Sequence, residues 1–234
     1  MKWLSNINTA STQERVPFKQ NPLLISLAAA FTAFWLLSFK GTTDLVNWYI
    51  ENILVILFAI VLIATYRKFQ FSNLSYLFIF LFLVLHTYGA KYAYADNPLG
   101  GWMQSHWHLA RNPYDRIVHT SFGLLMTYPI REVLMRRLDV SPKMIWFLPV
   151  EMILSLAGLF ELVEWSIADV FFPAHGKNYV GTQGDIWDAQ KDMVVAVLGS
   201  ILISVVAWVL KKKMQEAPAG EIGLKPLAIK APNL

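Results

Sequence analysis

The chain has 234 residues, of which 56% are hydrophobic and only 15% are charged. Soluble domains carry about 25% charged residues, so this composition excludes an ordinary soluble protein and favours one with lipid as its solvent. The absence of cysteine excludes disulfides, thiolate metal sites and cysteine nucleophiles. The net charge of +4 does not indicate a nucleic-acid partner, because the basic residues stand beside hydrophobic segments rather than in a stripe.

Six hydrophobic stretches, each long enough to cross a bilayer core of about 30 Å, follow one another along the chain. They are predicted at residues 22–39, 48–66, 71–90, 114–134, 145–170 and 188–210. We therefore predict an all-α polytopic membrane bundle of six transmembrane helices over residues 22–210. A loop of about 22 residues is predicted between the third and fourth helices.

The two ends of the chain are polar. Residues 1–21 form a predicted N-terminal segment, in which we expect no cleaved signal peptide. Residues 211–234 form a basic tail that we predict to be disordered. Of the 20 Lys and Arg residues, 14 fall on the side of the two ends and six on the other side. The positive-inside rule then places both termini in the cytoplasm of a cell whose inner membrane holds the bundle.

Ionisable residues lie at a similar depth, towards the outer ends of four predicted helices. They are His86, His119, Glu161 and Asp192. An ionisable side chain inside a span costs a few kcal/mol, so each one needs a partner or a function. Each of the following pairs occupies one helix face because its members are three or four residues apart: Asp115 and His119, Glu161 and Glu164, and Asp188 and Asp192. Paired carboxylates repel each other in a low dielectric unless a proton, a base or a cation lies between them.

A structural explanation is open for several of these residues. Capping of a helix start explains three acids equally well: Asp115, Asp185 and Asp188. A lone histidine such as His86 is more often a satisfied core residue than a ligand. Capping does not explain Glu161 or Asp192, because both lie a turn or more inside their helices. The sequence thus leaves two alternatives, a functional site and a purely structural polar network.

Three runs of residues carry a resemblance to a known family. They are RNPYDRIVH from Arg111, ELVEW from Glu161 and GTQGDIWDAQKDM from Gly181, with HTYG from His86 and the nearby Tyr92. From the second helix to the sixth, the chain resembles the YjdF family of bacterial inner-membrane proteins. The resemblance implies a plasma-membrane protein and no activity, because that family is uncharacterised. The order of polar residues is also loosely similar to VanZ-like proteins, although Glu164 and Asp192 stand where that group has amides.

The leading functional hypothesis is a metal-assisted site open to the outer leaflet or the periplasm. Imidazole and carboxylate groups suit zinc, manganese or iron, and the predicted ligands are His86, His119, Glu164, Asp188 and Asp192. A lipid or lipid-linked anionic substrate is predicted to contact Arg111, Arg116, Lys191 and Tyr92. Glu161 and Asp115 are the predicted catalytic residues of a hydrolytic reaction, since a bound metal can generate hydroxide at neutral pH.

Other functions stay open at this point. A proton-coupled transporter would relay protons or cations through Glu161, Glu164 and Asp192, and it would need a polar path to the cytoplasmic half. A non-catalytic envelope factor is the third alternative. The sequence contains no nucleophile elbow, zincin motif, phosphate loop or dinucleotide fingerprint, so serine hydrolases, zincins and nucleotide-driven pumps have no support.

Overall fold

The computed structural model describes residues 16–171, 173 and 182–216. The predicted N-terminal segment up to residue 15 and the predicted disordered tail beyond residue 216 lie outside these residues. Within them the chain is all-helical, with no strand. The α-helices are α1 (Pro22–Ser38), α2 (Leu45–Thr65), α3 (Asn73–Lys91), α4 (Pro98–Trp107), α5 (Tyr114–Arg137), α6 (Met144–Trp165) and α7 (Asp188–Glu216). A π-helical turn, Ser166–Phe171, continues α6.

In the described part of the chain, four stretches are long and apolar enough to cross a membrane: Leu45–Thr65, Asn73–Lys91, Met144–Phe171 and Asp188–Lys213. Helix α1 is apolar but has only 17 residues. Helix α5 has 24 residues but carries charges at both ends, including Arg116 and Arg136. Each of the six predicted stretches therefore forms a helix, and four of them meet the criteria for a span.

The predicted loop between the third and fourth hydrophobic stretches is wrong in part, because residues 98–107 form α4. Two glycines and several turn-forming residues favoured a loop there. The start of α4 nevertheless has a physical cause. The Asn97 side chain accepts hydrogen bonds from the backbone N–H groups of Leu99 and Gly100, and Pro98 occupies the first helical position.

Helix α5 lies at the centre of the bundle and packs against α3, α6 and α7, while α1 and α2 pack against α3. The apolar core contains Val55, Leu83, Met126, Ile153 and Ala196. The closest helix pair is α5 and α7. A Cβ atom on Gly123 would overlap the backbone oxygen of Ala196, so only glycine allows this approach.

A separate polar network closes the end of the bundle where α3 begins. The carboxylate of Glu132 on α5 accepts hydrogen bonds from the Ser72 backbone N–H at 2.9 Å and from the Ser75 hydroxyl at 2.5 Å. Its other partner is Arg136, with 2.7 Å between Nη1 and Oε1. These contacts satisfy the orphan N–H groups at a helix start, so this network has a structural explanation.

Candidate functional site

A large polar cluster lies at the opposite end of the bundle. Successive helices run in opposite directions, so the starts of α2, α5 and α7 meet the ends of α3 and α6. We call the following residues the polar cluster: Glu51, His86, Tyr94, Arg111, Asp115, Arg116, His119, Glu161, Glu164, Asp185, Asp188, Lys191 and Asp192. They come from five helices and three connecting segments. The cluster holds seven carboxyl groups and three permanent cations.

Two arginines at the start of α5 bind the acids at the start of α7. Arg116 lies 2.6 Å from Asp192, Nη1 to Oδ1, and 2.5 Å from Asp188, Nη2 to Oδ1. Arg111 also donates a hydrogen bond to the Asp188 carboxylate. Asp188 and Asp192 are 4% and 2% exposed, so these are buried ion pairs rather than surface ones. The arginines tie α5 to α7 across the cluster.

His119 lies between two acids without touching either of them. Its Nε2 atom is 3.6 Å from Oδ1 of Asp115 and 3.6 Å from Oε1 of Glu161. Both distances are too long for hydrogen bonds. Asp115, His119 and Asp192 can each offer one ligand atom, and these three atoms lie within 4.8 Å of one another. This arrangement has the composition and the spacing of a divalent-metal site.

Glu161 and Glu164 lie one turn apart on the face of α6 that points at the cluster. Two carboxyl groups on one helix face repel each other in a low dielectric unless a proton or a cation lies between them. The Oε1 atom of Glu161 is buried and accepts no hydrogen bond from the residues that the structure describes. It is therefore available to a ligand or to a proton.

Glu51, His86 and Tyr94 form a second buried group beside His119. The Tyr94 hydroxyl lies 2.8 Å from Nδ1 of His86. Nε2 of His86 lies 3.4 Å from the backbone oxygen of Glu51 and 3.7 Å from its Oε2 atom. Glu51 is 1% exposed, and within the described part of the chain neither of its carboxylate oxygens has a hydrogen-bond partner. A buried carboxylate without hydrogen bonds is costly, so it points to a proton or a ligand.

Tyr94 reaches His86 through an unusual backbone. Ala93 and Tyr94 both have positive φ angles, of 45° and 51°. L-residues adopt this region at a cost, and such strain is concentrated at functional sites. The ring lies so close to α3 that a Cβ atom on Gly89 would overlap it. Burial raises the pKa of Tyr94 well above its ordinary value, so the phenol keeps its proton and can donate to His86.

The segment before α7 is fastened to the start of α5. The backbone N–H of Asn112 donates to the Gln183 side chain at 2.8 Å, and Gln183 donates back to the Asn112 carbonyl at 3.2 Å. Asp185, at the exposed edge, accepts two hydrogen bonds from Lys191, at 2.7 and 2.9 Å. This contact with Lys191, followed by the Trp187 backbone N–H, lowers the pKa of Asp185.

An apolar cavity of about 350 Å³ adjoins the cluster. His86, Tyr94 and His119 line its polar end. Its remaining lining is apolar and comes from α2, α3, α5 and α6, including Leu54, Phe122 and Leu159. The cavity thus connects the imidazole of His119 with the hydrophobic part of the bundle.

The structure brings most of the predicted site residues together. Asp115, His119 and Asp192 lie closest to one another, with Glu161 next to His119. Asp188 and the two arginines are bound to each other. Lys191 contacts Asp185 at the exposed edge. Tyr92 does not join the cluster but packs its ring against Tyr88, at 5.3 Å between centroids, and lies beneath Lys91.

Three residues of the cluster were not predicted as site residues from the sequence: Glu51, Tyr94 and Asp185, the last of which was interpreted as a helix cap. Glu51 is the sole acid in a long apolar stretch, and that isolation was a usable signal. Its nearness to the start of the helix favoured a pairing at the membrane surface instead. Tyr94 carried no signal, because nothing in the sequence indicates the positive φ angles that turn its ring towards His86.

Comparison with known proteins identifies the family. A family described as "Predicted membrane protein (DUF2238)" matches residues 23–213. The chain belongs to this family. Inner membrane protein YjdF of Escherichia coli (strain K12) is 35% identical to it over 183 residues, which cover 77% of this chain and 87% of the relative. No solved structure matches the chain.

The predicted resemblance to YjdF is confirmed by these matches, whereas none of them supports the looser likeness to VanZ-like proteins. As a DUF2238 protein with several apolar helices and an inner-membrane relative, the chain is a multi-pass protein of the bacterial inner membrane. The lipid bilayer is therefore its environment. Neither description names an activity, so the polar cluster has to be interpreted from its chemistry.

Proposed function

We propose that the polar cluster of this DUF2238 protein holds a divalent metal, such as zinc, manganese or iron, and hydrolyses a lipid or lipid-linked anionic substrate. The observation that carries the proposal is the convergence of one ligand atom each from Asp115, His119 and Asp192 within 4.8 Å. Two carboxylates and one imidazole leave a coordination position open, as catalytic metal sites require. Glu161 stands beside this position.

The spacing of the ligand atoms supports this assignment. Ligands about 2.1 Å from a tetrahedral ion lie about 3.4 Å from one another. His119 Nε2 is 3.6 Å from Oδ1 of Asp115, which is close to that value, and all three ligand atoms lie within 4.8 Å of one another. A hydrogen-bonded network would instead have shortened these distances to about 3 Å. The gap around Nε2 thus has the dimensions of a bound cation.

The charge of the cluster also favours a cation. Seven carboxyl groups face three permanent cations, Arg111, Arg116 and Lys191. Burial makes such an excess of negative charge costly unless protons or a metal ion compensate it. The same excess of carboxyl groups disfavours the binding of a free anion in the cluster. An anionic substrate group would therefore bind through the metal, rather than through arginines that already contact Asp188 and Asp192.

The arginines have a second role in this proposal. Arg111 faces Oδ2 of Asp115, while Oδ1 of the same carboxylate faces His119. Arg116 contacts Asp192 at its Oδ1 atom. Outer groups that hold one oxygen of a carboxylate orient the other towards a metal. Arg111 and Arg116 are thus positioning residues.

The reaction we infer is the hydrolysis of an ester or phosphoester bond. A bound metal supplies a lowered pKa for water and polarises the substrate oxygen. Glu161 accepts the proton of the attacking water, because its buried Oε1 atom has no other hydrogen-bond partner among the described residues. Glu164, one turn further along the same face of α6, can take up that proton and return it to the leaving oxygen. The apolar lining keeps bulk water away from the bond that breaks.

Elemental analysis of the purified, tag-free protein tests this proposal. We expect about one metal ion per chain, and at least a tenfold lower content in the His119→Ala and Asp192→Asn variants. The matched control is His106→Ala, because His106 stacks on Trp102 in α4 and lies outside the cluster. A folded protein without stoichiometric metal, or equal metal in His119→Ala and His106→Ala, would refute the proposal.

We further propose that α1 and α5 also cross the membrane, which gives six spans, two cytoplasmic termini and a periplasmic cluster. The excess of basic residues at the other end supports this topology. The chain has no cysteine, so single cysteines can be introduced cleanly. A membrane-impermeant thiol reagent should label Ile186→Cys in intact cells, and Ser141→Cys only after permeabilisation. The opposite pattern would invert the orientation.

The proton-coupled carrier is less well supported. A carrier needs polar groups along the whole route between the two membrane faces. Between the polar cluster and the Glu132 network, the core of the described bundle is mainly apolar, with Leu83, Met126 and Ile153. The buried hydroxyl pair of Thr127 and Ser200, 2.7 Å apart, lies there too but carries no titratable group. This distribution favours chemistry at one face over transport through the bundle.

A further inference from the structure

The cavity beside the polar cluster extends along the bundle towards the bilayer centre. Its lining on α5 begins at Val118 and His119 and ends at Met126. A helical stretch of this length corresponds to about 12 Å. The polar groups lie only at the end of the cavity that adjoins the cluster. The cavity is therefore amphipathic along its length, like a lipid.

The walls of the cavity include side chains on the outer surface of the bundle. Leu54 of α2 is 37% exposed, and Leu156 and Leu159 of α6 are 42% and 57% exposed. At this depth in a membrane the surrounding solvent is hydrocarbon. The cavity is thus open on the side between α2 and α6 to the chains of neighbouring lipids.

The volume of the cavity indicates what can enter. A dry cavity of about 150 Å³ holds one benzene ring, so a cavity of about 350 Å³ has room for a chain of about 14 carbons. A volume of about 350 Å³ spread over a length of about 12 Å leaves a mean width of about 6 Å, too narrow for a second helix of about 10 Å diameter. One acyl or prenyl chain matches both its volume and its apolar lining.

We propose that this cavity binds one hydrocarbon chain of a membrane lipid and places the head-group linkage against His119 and Tyr94. This proposal rests on the proposed function in one respect. If the metal centre hydrolyses the lipid, the bond that it breaks is the head-group linkage nearest His119. Tyr94 and His86 are the groups that contact the linkage from the α3 side. The substrate class is therefore a membrane lipid that the protein recognises by one of its hydrocarbon chains.

Photocrosslinking tests the binding of the chain. The protein is reconstituted in phosphatidylethanolamine and phosphatidylglycerol vesicles that contain a phospholipid with a diazirine in its acyl chain. We expect crosslinks concentrated on residues 54–58, 118–126 and 156–163. Two variants that narrow the cavity from opposite walls, Leu159→Trp and Leu54→Trp, should lower the yield there at least tenfold. The control is Leu202→Trp on α7, because Leu202 is 56% exposed and does not line the cavity.

Crosslinks spread evenly over the outer faces of the helices, or a yield unchanged in both variants, would overturn the proposal. So would crosslinks between two protein chains at residues 54–58, because a second copy would then cover the opening. His119→Ala separates this proposal from the metal centre. A variant that has lost its metal but keeps the crosslinks would support the lipid site by itself, while a metal-loaded protein without crosslinks would refute the lipid site alone.

Discussion

Arg116 of α5 and Asp192 of α7 form a buried ion pair, with 2.6 Å between Nη1 and Oδ1. The Arg116→Ala variant leaves the carboxylates of Asp188 and Asp192 without this cation. We expect the free energy of unfolding to fall by about 3–5 kcal/mol, the usual cost of removing one partner of a buried pair. Thermal unfolding in detergent with a chelator present measures this.

A double-mutant cycle provides the control for Arg116. Asp192→Asn removes the other charge, so the double variant Arg116→Ala, Asp192→Asn should be less destabilised than the sum of the single variants. Strictly additive effects would show that the two side chains do not interact in the folded protein.

The second prediction concerns Tyr94. Tyr94→Phe removes the hydrogen bond to Nδ1 of His86 and leaves a buried acceptor unpaired, which should cost about 1–3 kcal/mol. Tyr92→Phe is the matched control, because Tyr92 makes ring contacts with Tyr88 and Lys91 that phenylalanine keeps. Equal unfolding temperatures for the two variants would contradict the assigned role of the Tyr94 hydroxyl.

The third prediction compares two glycines. Gly123→Ala forces a methyl group onto the backbone of Ala196 and should destabilise the protein by about 1–3 kcal/mol. Gly101→Ala in α4 meets no atom within 4 Å and should stabilise its helix by about 0.5–1 kcal/mol. The measurement is the unfolding midpoint of both variants beside the parent. Similar shifts in one direction would show that α5 and α7 are not in close contact.

The fourth prediction concerns pH. The pKa of Asp185 is lowered in the folded protein, so its contribution to stability is present above the ordinary aspartate pKa of about 4. That contribution disappears as the pH falls through the lowered value, because both folded and unfolded states are then protonated. Lys191→Ala should therefore lower the unfolding temperature at neutral pH and lose this effect at low pH. A difference that persists in acid would rule out Asp185 as its cause.

Sequence reasoning went furthest where helix geometry alone decides the outcome. Asp115 and His119 share a face because they are four residues apart, and Glu161 and Asp192 reach the same end because helices of similar length alternate in direction. It failed where a contact depends on the rotation of one helix against another. The pairing of Glu51 with His86 is such a case.

Local backbone conformation was the second feature that could not be predicted from the sequence. Ala93 and Tyr94 have positive φ angles without being glycine or asparagine, so no residue type announced the turn that brings the phenol to His86. Helix α4 was missed for a different reason. Gly100 and Gly101 outweighed the helix-start signal of Asn97-Pro98, although Gly100 is required there because a Cβ atom would overlap the Asn112 side chain.

The glycine contact between α5 and α7 bears on how the protein responds to its membrane. Bilayers that differ in thickness are accommodated by changes in helix tilt. A pair of helices in backbone contact and joined by buried ion pairs resists such changes, whereas α2 packs mainly on α3 and has a widely exposed outer face. Changes in membrane composition should therefore move α2 and widen or narrow the opening of the cavity between α2 and α6. The distance between His119 and Asp192 should stay the same.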